Sequence, residues 1–296
     1  MFSEDEVDLP YVIAELGPNW CVSRDPEENH AALYDLIDIA KVCRASAVKL
    51  QLKSQEPGGY YTRENLDRPI DDPRSPFRTR RQYVEAREPT RRVLAAVAHY
   101  CAPRGLDWSV SCWDLPSVAL LESCGHRPAW VKVASASITD TPLLEATRAL
   151  GIPVVLSTGM STLDEVDRAA STLGETLACV LHCVSTYPCV VTEIDLRVMA
   201  TLRARYGVPV GWSGHERGIE ASVAAAALGA AVIERHITQS RDAWGPDHSA
   251  SLELADFAQL VKGCRIAHGV ALAGSGEKVV VPSEVPHRER LRRVAT

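Results

Sequence analysis

The sequence has no excess of basic residues, no long apolar run and few lysines. Its 32 lysines and arginines are outnumbered by 38 acidic residues, giving a net charge of −6. It therefore shows no sign of the basic face that a nucleic-acid partner requires. No apolar run approaches the roughly 20 residues of a membrane span. The first ten residues are acidic and lack the basic and apolar regions of a signal peptide.

The nine cysteines have scattered spacings and include no Cys-x-x-Cys pair, which argues against a thiolate zinc site. An odd number of cysteines without an export signal is typical of reduced thiols, so we expect a cytoplasmic location. The sequence also lacks repeats, low-complexity tracts and a linker to a second domain. Its 296 residues are therefore predicted to form one domain, residues 1–296.

Short apolar runs alternate with longer amphipathic stretches. The runs are mostly continuous, as in parallel strands that are buried on both faces. They cover residues 11–14, 45–50, 106–110, 130–133, 153–156, 178–181, 208–212 and 231–233. Helical patterns cover roughly 27–44, 89–103, 116–124, 140–150, 162–173, 194–206, 217–229 and 254–270. Eight strand–helix repeats predict an α/β fold, a (β/α)8 TIM barrel, with an open doubly wound sheet as the alternative.

Two stretches interrupt this rhythm. Residues 53–88 form a long loop that carries many arginines, and loops of this length are usually lids, binding segments or disordered. Its arginines are expected to be mostly solvated, with one or two meeting an anionic substrate or a neighbouring subunit. Residues 270–296 form a C-terminal extension that passes the last helix and ends in an arginine-rich tail.

Each predicted strand delivers a polar or ionisable side chain at its carboxyl end. In chain order these are Glu15; Lys49 and Gln51; Ser111; Lys132 and Ser135; Ser157; His182, Ser185 and Tyr187; Ser213 and His215; Glu234 and His236. In a barrel these ends form one face, which hosts the active site. Two lysines and several hydroxyls suit a phosphate and a carboxylate. Two imidazoles on adjacent strands suit a divalent metal, and Glu15 suits a general base.

Several of these residues also have plain structural interpretations. A serine at a strand end is often a helix cap or a turn former. Lys49 or Lys132 alone could belong to a structural ion pair. His182 fits a hydrogen-bonded core histidine better than a ligand. Cys183 and Cys189 are reactive by position, although inert buried thiols are commoner.

Around these residues the chain resembles the N-acetylneuraminate (sialic acid) synthase family, from Tyr11 to Arg293. The resemblance is carried by segments whose order and spacing are specific together. They are Ile13-Ala14-Glu15-Leu16-Gly17, Ala47-Val48-Lys49-Leu50-Gln51, Ser157-Thr158-Gly159-Met160-Ser161, Leu181-His182-Cys183-Val184-Ser185-Thr186-Tyr187-Pro188, Gly211-Trp212-Ser213-Gly214-His215, Gly229-Ala230-Ala231-Val232-Ile233-Glu234-Arg235-His236 and Gly245-Pro246-Asp247-His248-Ser249-Ala250-Ser251-Leu252.

The resemblance implies a barrel that joins phosphoenolpyruvate to a sugar-like aldehyde with the help of Mn²⁺ or Mg²⁺. It implies His215 and His236 as metal ligands, Glu234 beside the metal, and Glu15 as the residue that handles the water attacking C2. The positions implied for phosphoenolpyruvate are Lys49, Ser111, Lys132, Ser135, Ser157, Ser185 and Ser213. Those implied for the acceptor are Gln51, Tyr187 and Asp247. The expected product is a 2-keto-3-deoxy acid plus phosphate, and the expected partner is a second copy in a homodimer.

Three departures from the family concern the acceptor side. Typical members continue into an antifreeze-like domain that lends an arginine to the partner subunit's acceptor site, so we expect that arginine to be missing here. The loop that usually reads Gly-x-Asn-His-Asn-Gly is Gly17-Pro18-Asn19-Trp20-Cys21-Val22, and the Asp often found before the metal-ligand histidine is Gly214. These changes suggest that the acceptor is not N-acetylmannosamine.

Two other functions remain open from the residues. A metal-dependent aldolase or hydrolase would use the histidine pair without phosphoenolpyruvate, although it would not need both lysines and four serines. A binding protein with a decayed site should have lost Glu15 or a histidine, and the sequence keeps them.

Overall fold

The computed structural model describes residues 9–87, 90–272 and 274–293. Eight parallel strands form a closed barrel in which each strand pairs with the next and the last pairs with the first. They are β1 (Tyr11–Glu15), β2 (Ala47–Leu52), β3 (Asp107–Cys112), β4 (Trp130–Val133), β5 (Val154–Ser157), β6 (Leu177–Cys183), β7 (Val210–Gly214) and β8 (Val232–His236). The predicted (β/α)8 barrel is confirmed, and the alternative of an open sheet is wrong.

Helices connect the strands and cover the barrel. They are α1 (Pro26–Val42), α2 (Arg63–Leu66), α3 (Arg80–Ala86), α4 (Arg91–Cys101), α5 (Leu115–Ser123), α6 (Thr141–Ala149), α7 (Leu163–Leu173), α8 (Val198–Tyr206), α9 (Glu220–Ala227), α10 (Leu254–Leu272) and α11 (Val285–Leu291). Helix α7 starts with a capping box, in which Thr162 and Glu165 satisfy each other's backbone N–H groups. None of the helices in the described ranges is both long and apolar enough to cross a membrane.

Side chains along each strand alternate between the barrel interior and the helix layer, because the strand period is two. One buried cluster fills the interior and includes Ile13, Ala47, Trp130 and Val232. A larger cluster of the intervening strand residues packs against the helices. The interior residue of β1, Ile13, is therefore followed two positions later by Glu15, and the same parity places a polar side chain inside the upper barrel on most strands.

Several strands extend further towards their carboxyl ends than the apolar runs indicate. Strand β8 reaches His236, three residues beyond its run, and β6 reaches Cys183. The polar side chains of these strands therefore belong to the ladder itself. Strand pairing depends on backbone groups, so a strand continues wherever its neighbour continues, whatever side chains it carries.

The long loop after β2 is ordered across its described part, residues 53–87, and contains α2 and α3, which the sequence pattern did not indicate. Asp114, the N-cap of α5, ties it to the barrel by accepting hydrogen bonds from the backbone N–H groups of Ser54 (2.8 Å) and Tyr60 (2.7 Å). Phe77 and Tyr83 of the loop pack on Cys21 in a small buried cluster. The loop therefore lies against the mouth of the barrel.

Candidate active site

A cavity of about 240 Å³ opens at the carboxyl ends of the strands. We call it the inner cavity. Its wall contains all of the predicted site residues except Glu15 and Asp247. The members from the predicted set are Lys49, Gln51, Ser111, Lys132, Ser135, Ser157, Ser185, Tyr187, Ser213, His215, Glu234 and His236. The barrel thus brings together side chains that are spread over nearly 190 positions of sequence, from 49 to 236.

Glu15 lies just beneath this cavity and is fully buried. Its carboxylate forms an ion pair with Lys49 and accepts a hydrogen bond from the Gln51 amide at 3.1 Å. Lys49 also donates to the Ser111 hydroxyl at 2.9 Å. Burial disfavours the Lys49 cation, but Glu15 and Glu234 together raise the pKa of Lys49 above its ordinary value. Glu15 therefore keeps a charged ammonium group at the cavity wall.

A second buried lysine–glutamate pair lies across the barrel. Lys132 pairs with Glu234, and the Ser213 hydroxyl donates to the same carboxylate oxygen at 3.1 Å. Burial opposes the Glu234 anion, but Lys132 and Lys49 lower the pKa of Glu234 to about 2. Both lysines are thus ion-paired, as the structural interpretation of the sequence allowed, and both also line the inner cavity.

Hydroxyl groups complete the side of the inner cavity formed by β4 to β6. Ser135 accepts a hydrogen bond from the Gly159 backbone N–H at 2.9 Å. A Cβ on Gly159 would collide with the Ser185 hydroxyl and come within 2.9 Å of the Ser135 hydroxyl, so only glycine allows this approach. The buried Ser157 hydroxyl has no hydrogen-bond partner within the described ranges. A buried hydroxyl without a partner is a candidate for a ligand contact.

The two histidines face each other at the same end of the barrel, with ring centroids 5.6 Å apart. Nδ1 of His215 lies 3.1 Å from the carbonyl oxygen of Val184, which leaves Nε2 available as a ligand atom. Burial, with a smaller effect of His236, lowers the pKa of His215 to about 3, so its ring is neutral. Nδ1 of His236 is buried, has no hydrogen-bond partner among the described residues and lies 3.6 Å from Asp247.

This pair fits a divalent metal as a site with two protein ligands. Neutral imidazoles are the state that binds metal. No group of three His, Cys, Asp or Glu residues suited to a metal occurs in the part of the chain that the structure describes. The remaining coordination positions would therefore fall to water and substrate oxygens, which suits a cation that must engage a substrate.

A buried ion pair lies directly behind the histidines. Arg235 and Glu216 are 2.8 Å apart and almost fully removed from solvent. The Glu216 carboxylate and the Trp212 indole nitrogen occupy the space that a Cβ on Gly214 would enter. The sequence has Gly214 where the family often has an aspartate, which predicts the loss of an acidic group. In the structure, the carboxylate of Glu216 lies beside Gly214.

A second cavity, of about 520 Å³, lies above the first, and we call it the outer cavity. The two share Gln51, Tyr60, Trp113 and Tyr187 in their walls. The predicted acceptor residue Asp247 lines the outer cavity beside His236. Gly17 of the first loop has a φ of +48°. A Cβ at Gly17 would stand about 3.2 Å from the side chains of Asp247 and His236, so the loop passes close to both of them.

Sequence reasoning missed most of the outer cavity. Lys53 lines it together with Arg68, Arg80 and Arg87 of the long loop, and with Tyr61, Tyr83, Trp113 and Trp244. One signal was available, since Lys53 continues the spacing of Lys49 and Gln51 by two residues and so shares their side of the strand. The loop residues had no such signal, because no periodicity connects them to a strand.

The cysteines and His182 behave as their plain interpretations predicted. His182 points away from the barrel interior and packs on Trp212, with ring centroids 5.2 Å apart. Burial lowers the pKa of His182 and raises the pKa of the Cys183 thiol. Cys183 nevertheless contributes to the wall of the inner cavity, where its sulfur lies 3.6 Å from the Ser185 hydroxyl.

Comparison with known proteins identifies relatives of the whole barrel. The model of the NeuB family matches residues 36–278. The human N-acetylneuraminate-9-phosphate synthase is 33% identical over 285 residues, which cover 95% of this chain and 76% of that protein. The N,N'-diacetyllegionaminic acid synthase of Legionella pneumophila is 36% identical over 199 residues, 65% of this chain and 55% of its own length.

A solved structure shows the same architecture. The N-acetylneuraminic acid (sialic acid) synthetase from Leptospira borgpetersenii, crystallised in complex with citrate, superposes with a TM-score of 0.78. Its sequence is 26% identical, and the match covers 97% of this chain and 94% of that chain.

Proposed function

The chain belongs to the NeuB family and is a phosphoenolpyruvate-dependent, carbon–carbon bond-forming synthase, and on that premise we propose that it condenses phosphoenolpyruvate with the aldehyde of a sugar. The products are a 2-keto-3-deoxy acid, related to the sialic acids, and inorganic phosphate. The observation that carries the proposal is the convergence of two buried lysines and a set of hydroxyls on the inner cavity, next to a pair of histidines.

Phosphoenolpyruvate has two anionic groups, and the inner cavity offers two lysines for them, one from β2 and one from β4. Lys49 and Lys132 supply charge, while the hydroxyls of Ser111, Ser157 and Ser213 supply directed hydrogen bonds. Such fixed groups stabilise developing charge without reorganisation. Ser135 and Ser185, held at the Gly159 turn, complete the proposed phosphate-binding and carboxylate-binding set.

A divalent metal, Mn²⁺ or Mg²⁺, held by His215 and His236 would supply Lewis-acid polarisation of the aldehyde. We assign the remaining chemistry to the chain's own residues. C3 of phosphoenolpyruvate forms a bond with the aldehyde carbon, the aldehyde oxygen takes up a proton to become a hydroxyl, and C2 becomes electron-poor. Glu15 takes a proton from the water that adds at C2. The C2–O bond to phosphate then breaks as the new C2 hydroxyl loses its proton, which leaves the ketone and inorganic phosphate. Lys132, which Glu234 holds in place, binds the carboxylate of phosphoenolpyruvate.

The acceptor would lie in the outer cavity, between Gln51, Tyr187 and Asp247. Tyr187 stacks over His215 with ring centroids 4.1 Å apart, so a sugar bound on Tyr187 brings its aldehyde to the histidine pair. The first loop differs from the family's usual polar turn, since Trp20 is buried in the main core and Cys21 beneath the long loop. We therefore keep the hypothesis that N-acetylmannosamine is not the preferred acceptor.

The test is release of phosphate from phosphoenolpyruvate with Mn²⁺ and a panel of aldoses. We expect release only with an aldose present, and a loss of at least about 100-fold in Glu15→Gln, the size of a general-base contribution. His215→Ala should lose activity and bound Mn²⁺ together. His126→Ala, on the opposite face of the barrel, is the matched control and should behave as wild type.

Absence of release with every aldose from Mn²⁺-loaded protein would contradict the proposal. It would favour the second candidate, a metal-dependent aldolase or hydrolase that uses His215 and His236 without phosphoenolpyruvate. Best turnover with N-acetylmannosamine would contradict the hypothesis on the acceptor and leave the proposed reaction standing.

We further propose that the barrel and its long loop act as one catalytic domain in a cytoplasmic homodimer. The nine cysteines all lie in the described ranges and form no disulfide there, which suits a reducing compartment. A symmetric homodimer is the commonest assembly of soluble enzymes.

A further inference from the structure

The outer cavity has a strongly uneven charge distribution. Among the described residues, four cations line it, Lys53, Arg68, Arg80 and Arg87, against one carboxylate, that of Asp247. Asp247 lies at the inner end, beside His236, whereas all four cations belong to the long loop. The wall remote from the histidines is therefore positively charged.

Little within the described ranges neutralises this wall. Neither Lys53 nor Arg80 has a described carboxylate within 4.0 Å, and Arg68 meets only the exposed Glu64, at 3.7 Å. Exposed pairs of this kind contribute little because water screens them. The charges of Lys53, Arg80 and Arg68 are thus available to a bound anion.

Aromatic rings hold these cations in position. The Lys53 ammonium lies 3.6 Å from the centre of the Trp113 ring and 4.9 Å from that of Tyr60. The Arg87 guanidinium lies 4.9 Å above the ring of Tyr83. Cation–π contacts orient a cation and leave its net charge in place, whereas a carboxylate would neutralise it.

Lys53 lies in this wall close to a second cation, Arg87. Burial and the nearby Arg87 lower the pKa of Lys53 to about 7. An anion placed between them would relieve the repulsion and offset the cost of burial.

We propose that the sugar acceptor carries an anionic group, a phosphate or a carboxylate, remote from its aldehyde, and that Lys53, Arg80 and Arg87 bind this group. The inference rests on the proposed function, because it assigns the outer cavity to the acceptor. A volume of about 520 Å³ suits a ligand of this size. The sugar ring would lie on the aromatic wall, with its aldehyde towards His215 and His236 and its anion towards the loop.

The experiment compares matched sugars in the phosphate-release assay. The pairs are N-acetylmannosamine with its 6-phosphate, and mannose with mannose 6-phosphate, while mannuronic acid tests a carboxylate. We expect kcat/KM to be at least about tenfold higher for one anionic class than for its neutral partner, since hydrogen bonds between charged groups are the strong ones. Equal or better turnover of the neutral sugars would overturn the inference.

Variants locate the anion site. Arg80→Gln and Lys53→Met should each remove most of the preference while leaving KM for phosphoenolpyruvate unchanged. Arg63→Gln, on the exposed helix α2 of the same loop and outside the cavity, is the matched control and should keep the preference. A preference that survives both cavity variants would also overturn the inference.

Direct binding separates this inference from the proposed function. If no sugar supports phosphate release, the proposed reaction fails. Calorimetric binding of mannose 6-phosphate that is lost in Arg80→Gln and kept in Arg63→Gln would then still support the anion site. Absence of such binding, together with absence of turnover of every anionic sugar, would count against it.

Discussion

The guanidinium of Arg235 lies 2.8 Å from the carboxylate of Glu216, and both side chains are almost completely removed from solvent. Each is the immediate neighbour in sequence of a histidine, His236 and His215 respectively. The pair therefore joins the ends of β7 and β8 at the point where the histidines project into the barrel. Ser222 joins the same network, donating to Glu216 at 2.6 Å.

Replacement of Glu216 by glutamine should destabilise the protein strongly. It leaves the Arg235 cation buried without a countercharge, and breaking a buried pair in this way costs about 3–5 kcal/mol. The measurement is the free energy of unfolding from denaturant titration. Asp167→Asn, which breaks the solvent-exposed pair with Arg205, is the control and should have a much smaller effect. Equal effects of the two substitutions would show that the buried pair is not a structural tie.

Replacement of Ser157 by alanine should weaken binding of phosphoenolpyruvate without loss of stability. Its buried hydroxyl has no described partner, so its removal breaks no bond of the protein. Loss of a hydrogen bond to an anionic substrate should raise KM for phosphoenolpyruvate roughly tenfold. Steady-state kinetics and the unfolding free energy measure the two effects.

Ser109→Ala is the matched comparison within the same barrel. The Ser109 hydroxyl is buried lower in the barrel and donates to the Trp130 carbonyl at 2.6 Å. Its removal should cost about 1 kcal/mol of stability and leave KM unchanged. The opposite pattern, with Ser157 affecting stability and Ser109 affecting KM, would refute the assignment of the inner cavity.

Binding of an anionic acceptor should weaken as the pH rises from 7 to 9. The pKa of Lys53 is about 7, lowered by burial and Arg87 and raised by Asp247 and Glu15. The ammonium is charged below that pH and loses its charge above it, so KM for the acceptor should increase. Sugar phosphates are fully dianionic over this range, since their second pKa is about 6.

Lys53→Arg provides the control for this pH dependence, because an arginine keeps its charge to pH 9. Its KM for the anionic acceptor should be nearly constant over the range, and KM for a neutral sugar should be constant in both proteins. A wild-type KM that does not change with pH would show that Lys53 does not bind the anion.

The sequence predicted the inner cavity well for a simple physical reason. Strand side chains alternate, and all strands of a barrel point the same way, so polar groups at the ends of apolar runs must meet. Lys49 and Lys132 could be placed without knowledge of any contact between them. Their glutamate partners could not, because Glu15 meets Lys49 through the register of β1 on β2, and Lys132 meets Glu234 only because closure of the barrel places β4 opposite β8.

The acidic group beside His215 illustrates the opposite case. In the sequence, Gly214 stands where the family often has an aspartate, so a carboxylate is expected to be missing. In three dimensions, the chain turns after β7 and returns the carboxylate of Glu216 to the same place, where Arg235 holds it. The residue at position 214 alone therefore does not tell whether a carboxylate lies beside β7, because a residue two positions further along the chain can supply it.

The amino-acid pattern by itself determined the barrel, the face that carries the site and the polar residues of the inner cavity, because strand period and parallel direction are local properties that repeat along the chain. Only the tertiary structure decided the outer cavity. Lys53, Arg80 and Arg87 come together with Trp113 and Trp244 through the path of one irregular loop. That path depends on contacts such as the Asp114 anchor, which join residues more than 50 positions apart and have no periodic signal.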